Sequence, residues 1–190
     1  MKMDYSSYII NNLTDIKDRE VINICLINGC SIFGGYIRDI ISGVSPNDID
    51  VLVPTKYFNN LIEELSILGH KFEGDIDDIY EPNIICCKHK SLRELDLHLC
   101  ENLEYLSSWL SPNINCLAIC FDKQKSLIMY NWYIARDENF DDPNLIVYRS
   151  SDIIKNIINR EMKIIYEDIN KDINKDKILK YENKGYKILR

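Results

Sequence analysis

The sequence contains no long apolar run. Within its 190 residues, no stretch reaches the roughly 18 consecutive apolar residues that a membrane-spanning helix needs. The amino-terminal segment MKMDYSSYIINNL includes Asp4 and lacks the apolar core of a secretory signal peptide. We therefore expect neither a membrane span nor secretion.

Cysteine pairs of the kind that bind zinc or form redox motifs are also missing. The seven cysteines include no C-x-x-C pair, and the three histidines complete no zinc-binding spacing. An odd number of scattered cysteines fits reduced side chains that fill a protein core in a reducing compartment. We expect a cytoplasmic protein without a zinc site.

An excess of basic residues is missing too. Lysine and arginine number 23 against 30 aspartate and glutamate residues, which gives a net charge of −7. Proteins that hold a long nucleic acid by its phosphates usually present a basic face. The charge therefore disfavours extensive nonspecific nucleic-acid binding, although it is compatible with a small basic groove.

What the sequence does contain is enough apolar material for one core. Hydrophobic residues make up 46% of the chain, a fraction typical of folded domains and unlike that of disordered ones. The length predicts one domain, with room for a short helical appendage.

Helices and strands are mixed along the first 130 residues. Apolar spacing predicts a helix over residues 15–28 and another over Tyr36–Ser42, and Thr55 is expected to cap a third that ends near Leu68. The predicted strands are Cys30–Phe33, Ile49–Val53, Lys71–Glu73, Ile84–Cys87, Leu92–Leu99, a strand within residues 111–122, and Ser126–Tyr130. This mixture predicts an α+β or mixed α/β sheet domain, followed by helices from residue 151 onward.

Two carboxylates open the second predicted strand. Asp48 and Asp50 are two residues apart, so their side chains point to the same face of the sheet. Carboxylates this close repel each other unless a positive group lies between them. Mg²⁺ prefers such oxygen ligands and often shares its shell with substrate phosphates. A D-x-D alone is more often a solvated strand end, so the residues around it decide between that interpretation and a metal site.

A third carboxylate on a neighbouring strand would complete a metal site. The segment LRELDLHL alternates cleanly, with its leucines on one face and Glu94, Asp96 and His98 on the other. Asp96 is the leading candidate for the third ligand. Glu94 is the second, because it shares that face.

A pair of glycines precedes the carboxylates. Gly34 and Gly35 lie between a predicted strand and a predicted helix. Without Cβ atoms they can adopt unusual backbone dihedral angles and let a phosphate approach closely. The unpaired N–H groups at the start of the following helix would face the same place. Together with Asp48 and Asp50, this arrangement predicts a phosphate cradle beside a metal site.

The segment GGYIRDIISGVSPNDID, residues 34–50, resembles a known family signature. Class II tRNA nucleotidyltransferases (CCA-adding enzymes) and bacterial poly(A) polymerases, in the DNA polymerase β-like superfamily, carry GG-x-V-R-D-x-L-L-G-x-x-P-x-D-x-D. The defining positions of this signature are present at the right spacing, with Ile37 in place of valine: Gly34, Gly35, Arg38, Asp39, Gly43, Pro46, Asp48 and Asp50. Downstream, SPNINCLAICF is similar to the D-F-T-I-N-A-L-A segment of the family and places Asn115 on its asparagine. The resemblance covers about residues 17–130, the family's head domain.

The resemblance implies a fold and a domain organisation. It implies the nucleotidyltransferase fold, with a roughly five-stranded mixed sheet flanked by helices. We expect residues 1–150 to form a head-like domain and residues 151–190 to form a short C-terminal helical extension packed on it.

The resemblance also implies an activity. The family transfers NMP from an NTP to a hydroxyl group and releases pyrophosphate, with two Mg²⁺ or Mn²⁺ ions bound by carboxylates. The expected catalytic residues and metal ligands are Asp48, Asp50 and Asp96, and the expected nucleotide-binding residues are Gly34, Gly35, Arg38 and Asn115. Arg38 is expected either to contact the nucleotide or to position neighbouring carboxylates.

The sequence departs from the family in three ways. The arginines that precede the D-F-T-I-N segment are missing, since this chain reads SSWLSPNIN. His98 stands where the strand of the third carboxylate usually continues to an arginine. The long neck, body and tail domains that select the base and hold tRNA have no counterpart, so we expect no tRNA-holding body in this sequence.

Three functional hypotheses follow. The first is a minimal metal-dependent nucleotidyltransferase with an NTP as donor and an RNA 3′ end or tRNA as the first-ranked acceptor. The second is a non-catalytic NTP- or RNA-binding remnant of a head domain. The third is a nucleotidyltransferase that acts on a protein or a small molecule.

Overall fold

The computed structural model of the chain describes residues 16–73, 84–100, 113–121, 124, 126–131, 150–163 and 178–189. The helices are α1 (Ile16–Ile27), α2 (Gly35–Ile41), α3 (Phe58–Ile67), α4 (Ser150–Ile158) and α5 (178–183). The strands are β1 (Ser31–Phe33), β2 (Asp48–Pro54), β3 (Lys71–Glu73), β4 (Ile84–Lys88), β5 (Glu94–Cys100), β6 (Leu117–Phe121), β7 (Leu127–Asn131), β8 (Glu161–Met162) and β9 (Lys187–Ile188). None of the described helices is long and apolar enough to cross a membrane.

Seven strands form one mixed sheet in the order β3-β4-β5-β2-β1-β6-β7. The pair β2 and β5 is parallel, and the other neighbours are antiparallel. The mixed sheet predicted from the sequence is confirmed, and each of its seven strands lies where a strand was expected. The resemblance implied only about five, because the short edge strands β3 and β7 extend the sheet as antiparallel partners of β4 and β6.

One face of the sheet holds the hydrophobic core. Ile49, Val51 and Val53 of β2 point to the same side as Leu95 and Leu97 of β5, and all are buried in one cluster. The cluster members from α1 and α3 are Val21, Ile22, Cys25, Leu26, Phe58, Leu61 and Leu65. Full burial of each aliphatic side chain contributes about 1.5–3 kcal/mol. The alternation therefore fixes which face of β2 and β5 is apolar and leaves the other face for polar side chains.

The start of α3 differs from the expectation. Residues Thr55–Tyr57 form a 3₁₀ turn, and α3 begins at Phe58 without a side-chain cap. The prediction that Thr55 caps this helix was therefore wrong. Burial of Phe58 and Leu65 against the sheet stabilises the helix, so it does not need a side-chain cap.

The C-terminal residues are not only helical. Helices α4 and α5 match the expectation, but β8 and β9 form a separate two-stranded parallel ribbon. The Lys187 amide donates to the Arg160 carbonyl, and the Leu189 amide donates to the Met162 carbonyl. Strands of two residues are too short to show a period in the sequence. The proposed domain boundary at residue 150 remains a prediction.

The C-terminal residues share the core of the sheet domain. Ile153 and Ile157 of α4 belong to the same hydrophobic cluster as the sheet residues, and so do Met162, Tyr181 and Tyr186. These described parts of residues 150–189 therefore pack on the sheet domain through buried side chains.

Candidate active site

The parallel pairing of β2 with β5 gathers the acidic residues. In this register Asp50 lies opposite Asp96, and Asp48 lies opposite Glu94. Paired residues of neighbouring strands point to the same face of a sheet. The structure therefore brings Asp48, Asp50 and Asp96 together on the polar face of the two strands, with Glu94 beside them.

The carboxylates repel one another electrostatically. Burial and the negative charge of Asp50 raise the pKa of Asp48, against an opposing effect of Lys180 and Lys184. Burial and the charges of Asp50 and Asp48 likewise raise the pKa of Asp96. A divalent cation would relieve this repulsion, and a set of carboxylate oxygens is the donor set that Mg²⁺ or Mn²⁺ prefers. The chemistry of these carboxylates therefore suits such an ion, but among the described residues the three whose ligand atoms already lie within 4.8 Å of one another are Cys86, Glu94 and Asp96.

Asp96 and Glu94 differ in their surroundings. The Cys86 thiol donates a hydrogen bond of 2.6 Å to Oε1 of Glu94, and burial together with this bond raises the pKa of Cys86 to about 12. Glu94 is exposed, whereas Asp96 is half-buried and accepts no hydrogen bond from the residues that the structure describes. Cys86, Glu94 and Asp96 place ligand atoms within 4.8 Å of one another. Of the two candidates for the third ligand, Asp96 is the one whose oxygens stay available beside Asp50.

The glycine turn contacts the carboxylates directly. Gly34 has φ 68° and ψ −129°, a conformation that favours glycine. Its amide donates to the Leu117 carbonyl at 3.2 Å, and the Gly35 amide donates to Oδ2 of Asp50 at 3.3 Å. A Cβ atom on Gly34 would lie 2.9 Å from that same Oδ2. The turn therefore holds the Asp50 carboxylate, and the Gly35 N–H expected to face a phosphate is used for this.

Gly34→Ala should weaken metal binding more than a glycine-to-alanine substitution at another position with positive φ. The positive φ alone costs an alanine about 1–2 kcal/mol, and the methyl group would displace the Asp50 carboxylate. Because a supporting contact is lost, we expect Mn²⁺ affinity, measured by calorimetry, to fall about 10-fold or more.

Gly43→Ala is the matched control for this substitution. Gly43 has φ 69°, and a Cβ atom added there would meet no other atom within 4 Å, so only the backbone penalty applies. Thermal unfolding should show that both variants are destabilised. Calorimetry should show a reduced Mn²⁺ affinity for Gly34→Ala alone. Equal Mn²⁺ affinities would show that the turn does not hold Asp50 in solution.

Arg38 lies behind the glycine turn, buried at 3% exposure. Its Nε donates to Oδ1 of Asp39 at 2.7 Å, and its Nη1 donates to Oδ1 of Asn115 at 2.8 Å. A Cβ on Gly35 would be 3.4 Å from Nη2, and no hydrogen bond to a described residue uses Nη2. The structure thus brings together Gly35, Arg38 and Asn115, all expected nucleotide-binding residues. Asp39 holds the arginine in place.

Two contacts near Arg38 were missed by the sequence reasoning. The Tyr181 hydroxyl accepts hydrogen bonds from Nδ2 of Asn115 at 2.6 Å and from Nη1 of Arg38 at 3.4 Å. Lys184 forms an ion pair of 3.2 Å with Oδ2 of Asp39. Tyr181 follows Arg38 by 143 residues, and no local pattern could link residues so far apart.

Arg93 was also missed, although it precedes the strand that carries Asp96. Its Nε donates to Oδ2 of Asp18 at 2.6 Å, its Nη2 donates to Oγ of Ser45 at 3.1 Å, and its Nη1 donates to the Pro46 carbonyl. Arg93 therefore ties α1 to the loop that leads into Asp48.

His98 lies next to Asp50 on the polar face. Its Nε2 is 3.4 Å from Oδ1 of Asp50, without the geometry of a hydrogen bond, and its ring meets Phe33 edge-on at 5.0 Å. The position where the resemblance implies an arginine is thus occupied by an imidazole within reach of the carboxylate pair.

Comparison with known proteins gives a result at the level of structure only. No protein-family profile and no curated protein matches the sequence. Among solved structures, a CCA-adding enzyme bound to CTP matches with a TM-score of 0.65 and 12% identity, over 97% of this chain and 43% of its own. The CCA-adding enzyme of Thermotoga maritima bound to tRNA matches with a TM-score of 0.63 and 12% identity, over 96% of this chain and 42% of its own.

A tRNA-processing enzyme in its apo form gives the same result, with a TM-score of 0.58 and 18% identity over 94% of this chain. The chain spans 42% to 44% of the length of these structures. The chain therefore has the nucleotidyltransferase head-domain fold of the CCA-adding enzymes, as the sequence motif in residues 34–50 implied.

Proposed function

We propose that the chain is a divalent-cation-dependent nucleotidyltransferase that transfers NMP from an NTP to a hydroxyl group and releases pyrophosphate. The first-ranked acceptor is an RNA 3′ end. The observation that carries the proposal is the meeting of Asp48, Asp50 and Asp96 on one face of β2 and β5, beside the turn at Gly34 and Gly35.

The carboxylates would hold Mg²⁺ or Mn²⁺. When bound, two such ions activate an attacking hydroxyl and stabilise the leaving pyrophosphate. Asp48 and Asp50 are the proposed ligands of both ions, and the Gly35 amide orients Asp50. Asp96 is the third ligand and accepts the proton of the acceptor hydroxyl.

The nucleotide would lie against the glycine turn. At Gly34 and Gly35 the missing Cβ atoms leave room for the Asp50 carboxylate and the Arg38 guanidinium close against the turn. The triphosphate would bind on the open side of the turn, and the buried Arg38 guanidinium would supply positive charge from behind Gly35. Asn115 fixes one nitrogen of that guanidinium through its side-chain oxygen.

The similar structures support the donor and the acceptor class. They include CCA-adding enzymes in complexes with CTP, with ATP and with tRNA. An NTP donor and an RNA acceptor for this chain follow from that similarity as proposals, because the chain spans 43% of the first of those structures at 12% identity.

A label-transfer assay tests the function. The purified chain is incubated with each labelled NTP, with Mg²⁺ or Mn²⁺, and with tRNA, generic RNA, protein or no added acceptor. We expect label on RNA together with pyrophosphate release, and complete loss of both when EDTA removes the cation. Label on protein instead would change the acceptor class. Nucleotide binding by calorimetry without any pyrophosphate would favour a binding module over an enzyme.

A further inference from the structure

Tyr181, in the C-terminal helix α5, reaches the nucleotide-binding residues of the sheet domain. Its side chain is buried, with 6% of its surface exposed. Its hydroxyl oxygen accepts one hydrogen bond from Arg38 and one from Asn115. Its ring lies under the same guanidinium, with Cζ of Arg38 5.3 Å from the ring centroid. One tyrosine therefore contacts both members of the Arg38–Asn115 pair.

These contacts fix the orientation of the Arg38 guanidinium. Asp39 binds Nε, and Asn115 and Tyr181 together bind Nη1. Hydrogen bonds to a charged group are about twice as strong as neutral ones, and the face of an aromatic ring adds a further attraction to a cation. With those two nitrogens held, the remaining nitrogen, Nη2, is the one directed at Gly35.

Two more contacts from the C-terminal residues hold α2, the helix that carries Arg38. Lys184 pairs with Asp39 at 3.2 Å, and Nη2 of Arg160 donates to the Ser42 carbonyl at the end of the helix at 3.3 Å. Helix α2 has seven residues, too few for a helix to be stable alone. Its placement therefore depends on such tertiary contacts.

We propose that Tyr181 is a positioning residue of the nucleotide site: it holds Arg38 so that Nη2 faces the glycine turn where the triphosphate binds. The proposal deepens the proposed function and rests on it. The proposal makes residues 178–189 part of the nucleotide site. Tyr181 affects NTP binding through Arg38 and does not itself touch the nucleotide.

Tyr181→Phe tests this role, because it removes the hydroxyl and keeps the ring. Loss of a hydrogen bond to a charged group should raise the KM for NTP about 10-fold, with kcat within about twofold of wild type. A tyrosine that merely stabilised the fold would instead lower the active fraction, and so reduce kcat at an unchanged KM. Circular dichroism and thermal unfolding verify that the variant is folded.

Tyr186→Phe is the matched control. Tyr186 is buried in the same C-terminal segment and its ring meets that of Tyr181 at 6.2 Å. Its hydroxyl is close to Ser42, but it makes no hydrogen bond to Arg38 or Asn115. We expect its KM to equal that of wild type. Equal KM values for both variants would overturn the proposal.

Two further measurements separate this proposal from the proposed function. If Tyr181 acts through Arg38, adding Tyr181→Phe to an Arg38→Lys variant should change KM no further. An additive effect on KM would contradict an action through Arg38.

Amide hydrogen exchange in residues 35–42 should be faster in Tyr181→Phe than in Tyr186→Phe. If wild type binds no nucleotide in calorimetry, the proposed function fails. Faster exchange alone would then leave Tyr181 as a support of α2 only, against the proposal.

Discussion

Asp48→Asn is expected to abolish nucleotidyl transfer while the protein remains folded. A carboxamide is a poor ligand for a hard cation, and a metal ion supplies several kcal/mol of transition-state stabilisation. At about 1.36 kcal/mol for each factor of ten, the rate should fall at least about 1,000-fold. Pyrophosphate release under saturating NTP and Mn²⁺ measures it.

The stability of the same variant distinguishes a functional from a structural carboxylate. Burial and Asp50 raise the pKa of Asp48 above its usual value in the folded state, so the ionised form is less favourable there than in the unfolded chain. Removing the charge should therefore leave the metal-free melting temperature at or above that of wild type. Added Mn²⁺ should raise the melting temperature of wild type but not that of Asp48→Asn.

Asp152→Asn serves as the control for the loss of one negative charge. Asp152 is exposed in the first turn of α4 and is not among the proposed site residues. It should retain wild-type activity and the stabilisation by Mn²⁺. An Asp48→Asn variant that still releases pyrophosphate at the wild-type rate would remove Asp48 from the proposed site.

Most of the site geometry could be predicted from local sequence. The glycines, the short helix and the D-x-D lie within residues 34–50, and the two ends of this segment meet where the Gly35 amide donates to Asp50. The strict alternation of LRELDLHL placed Asp96 on a polar face before its neighbour was known. Once β2 and β5 are adjacent, the burial of their apolar residues on the same side puts Asp50 and Asp96 on one polar face, and the structure supplies the register that pairs them.

The supporting contacts could not be predicted, and the reason is physical. Tyr181 and Arg93 act through side-chain hydrogen bonds, two for Tyr181 and three for Arg93, to residues far away in the sequence. Such bonds leave no period, motif or composition that could be detected along the chain. The ribbon of β8 and β9 was not predicted for the same reason. Its backbone pairing spans only two residues in each strand and is stabilised by the surrounding structure, so it leaves no pattern in the sequence.

These missed contacts change how the short chain is understood. The sequence suggested a head domain with an appendage, and the absent arginines before Asn115 favoured a non-catalytic binding module. The structure instead has Tyr181 and Lys184, from the C-terminal residues, bound to Arg38 and Asp39. The C-terminal residues thus support the arginine that the nucleotide motif retains.

Asp96→Asn and Glu94→Gln should decide which residue is the third carboxylate. Both residues point to the polar face, but Asp96 lies opposite Asp50, while Glu94 lies opposite the exposed Asp48 and accepts a hydrogen bond from Cys86. A positioned general base contributes about 10²–10⁴-fold to a rate, so Asp96→Asn should slow transfer at least about 100-fold.

Glu94→Gln should slow transfer less than about tenfold, because its amide can still accept the hydrogen bond from Cys86 and an exposed residue changes little on substitution. Each variant also removes one negative charge from the same face, so the pair controls for the electrostatic effect on the bound cation. Single-turnover rates at saturating Mn²⁺ measure both. A larger loss in Glu94→Gln would transfer the role to Glu94. Small losses in both would mean that Asp48 and Asp50 act without a third carboxylate from β5, and the proposed proton acceptor would have to lie elsewhere.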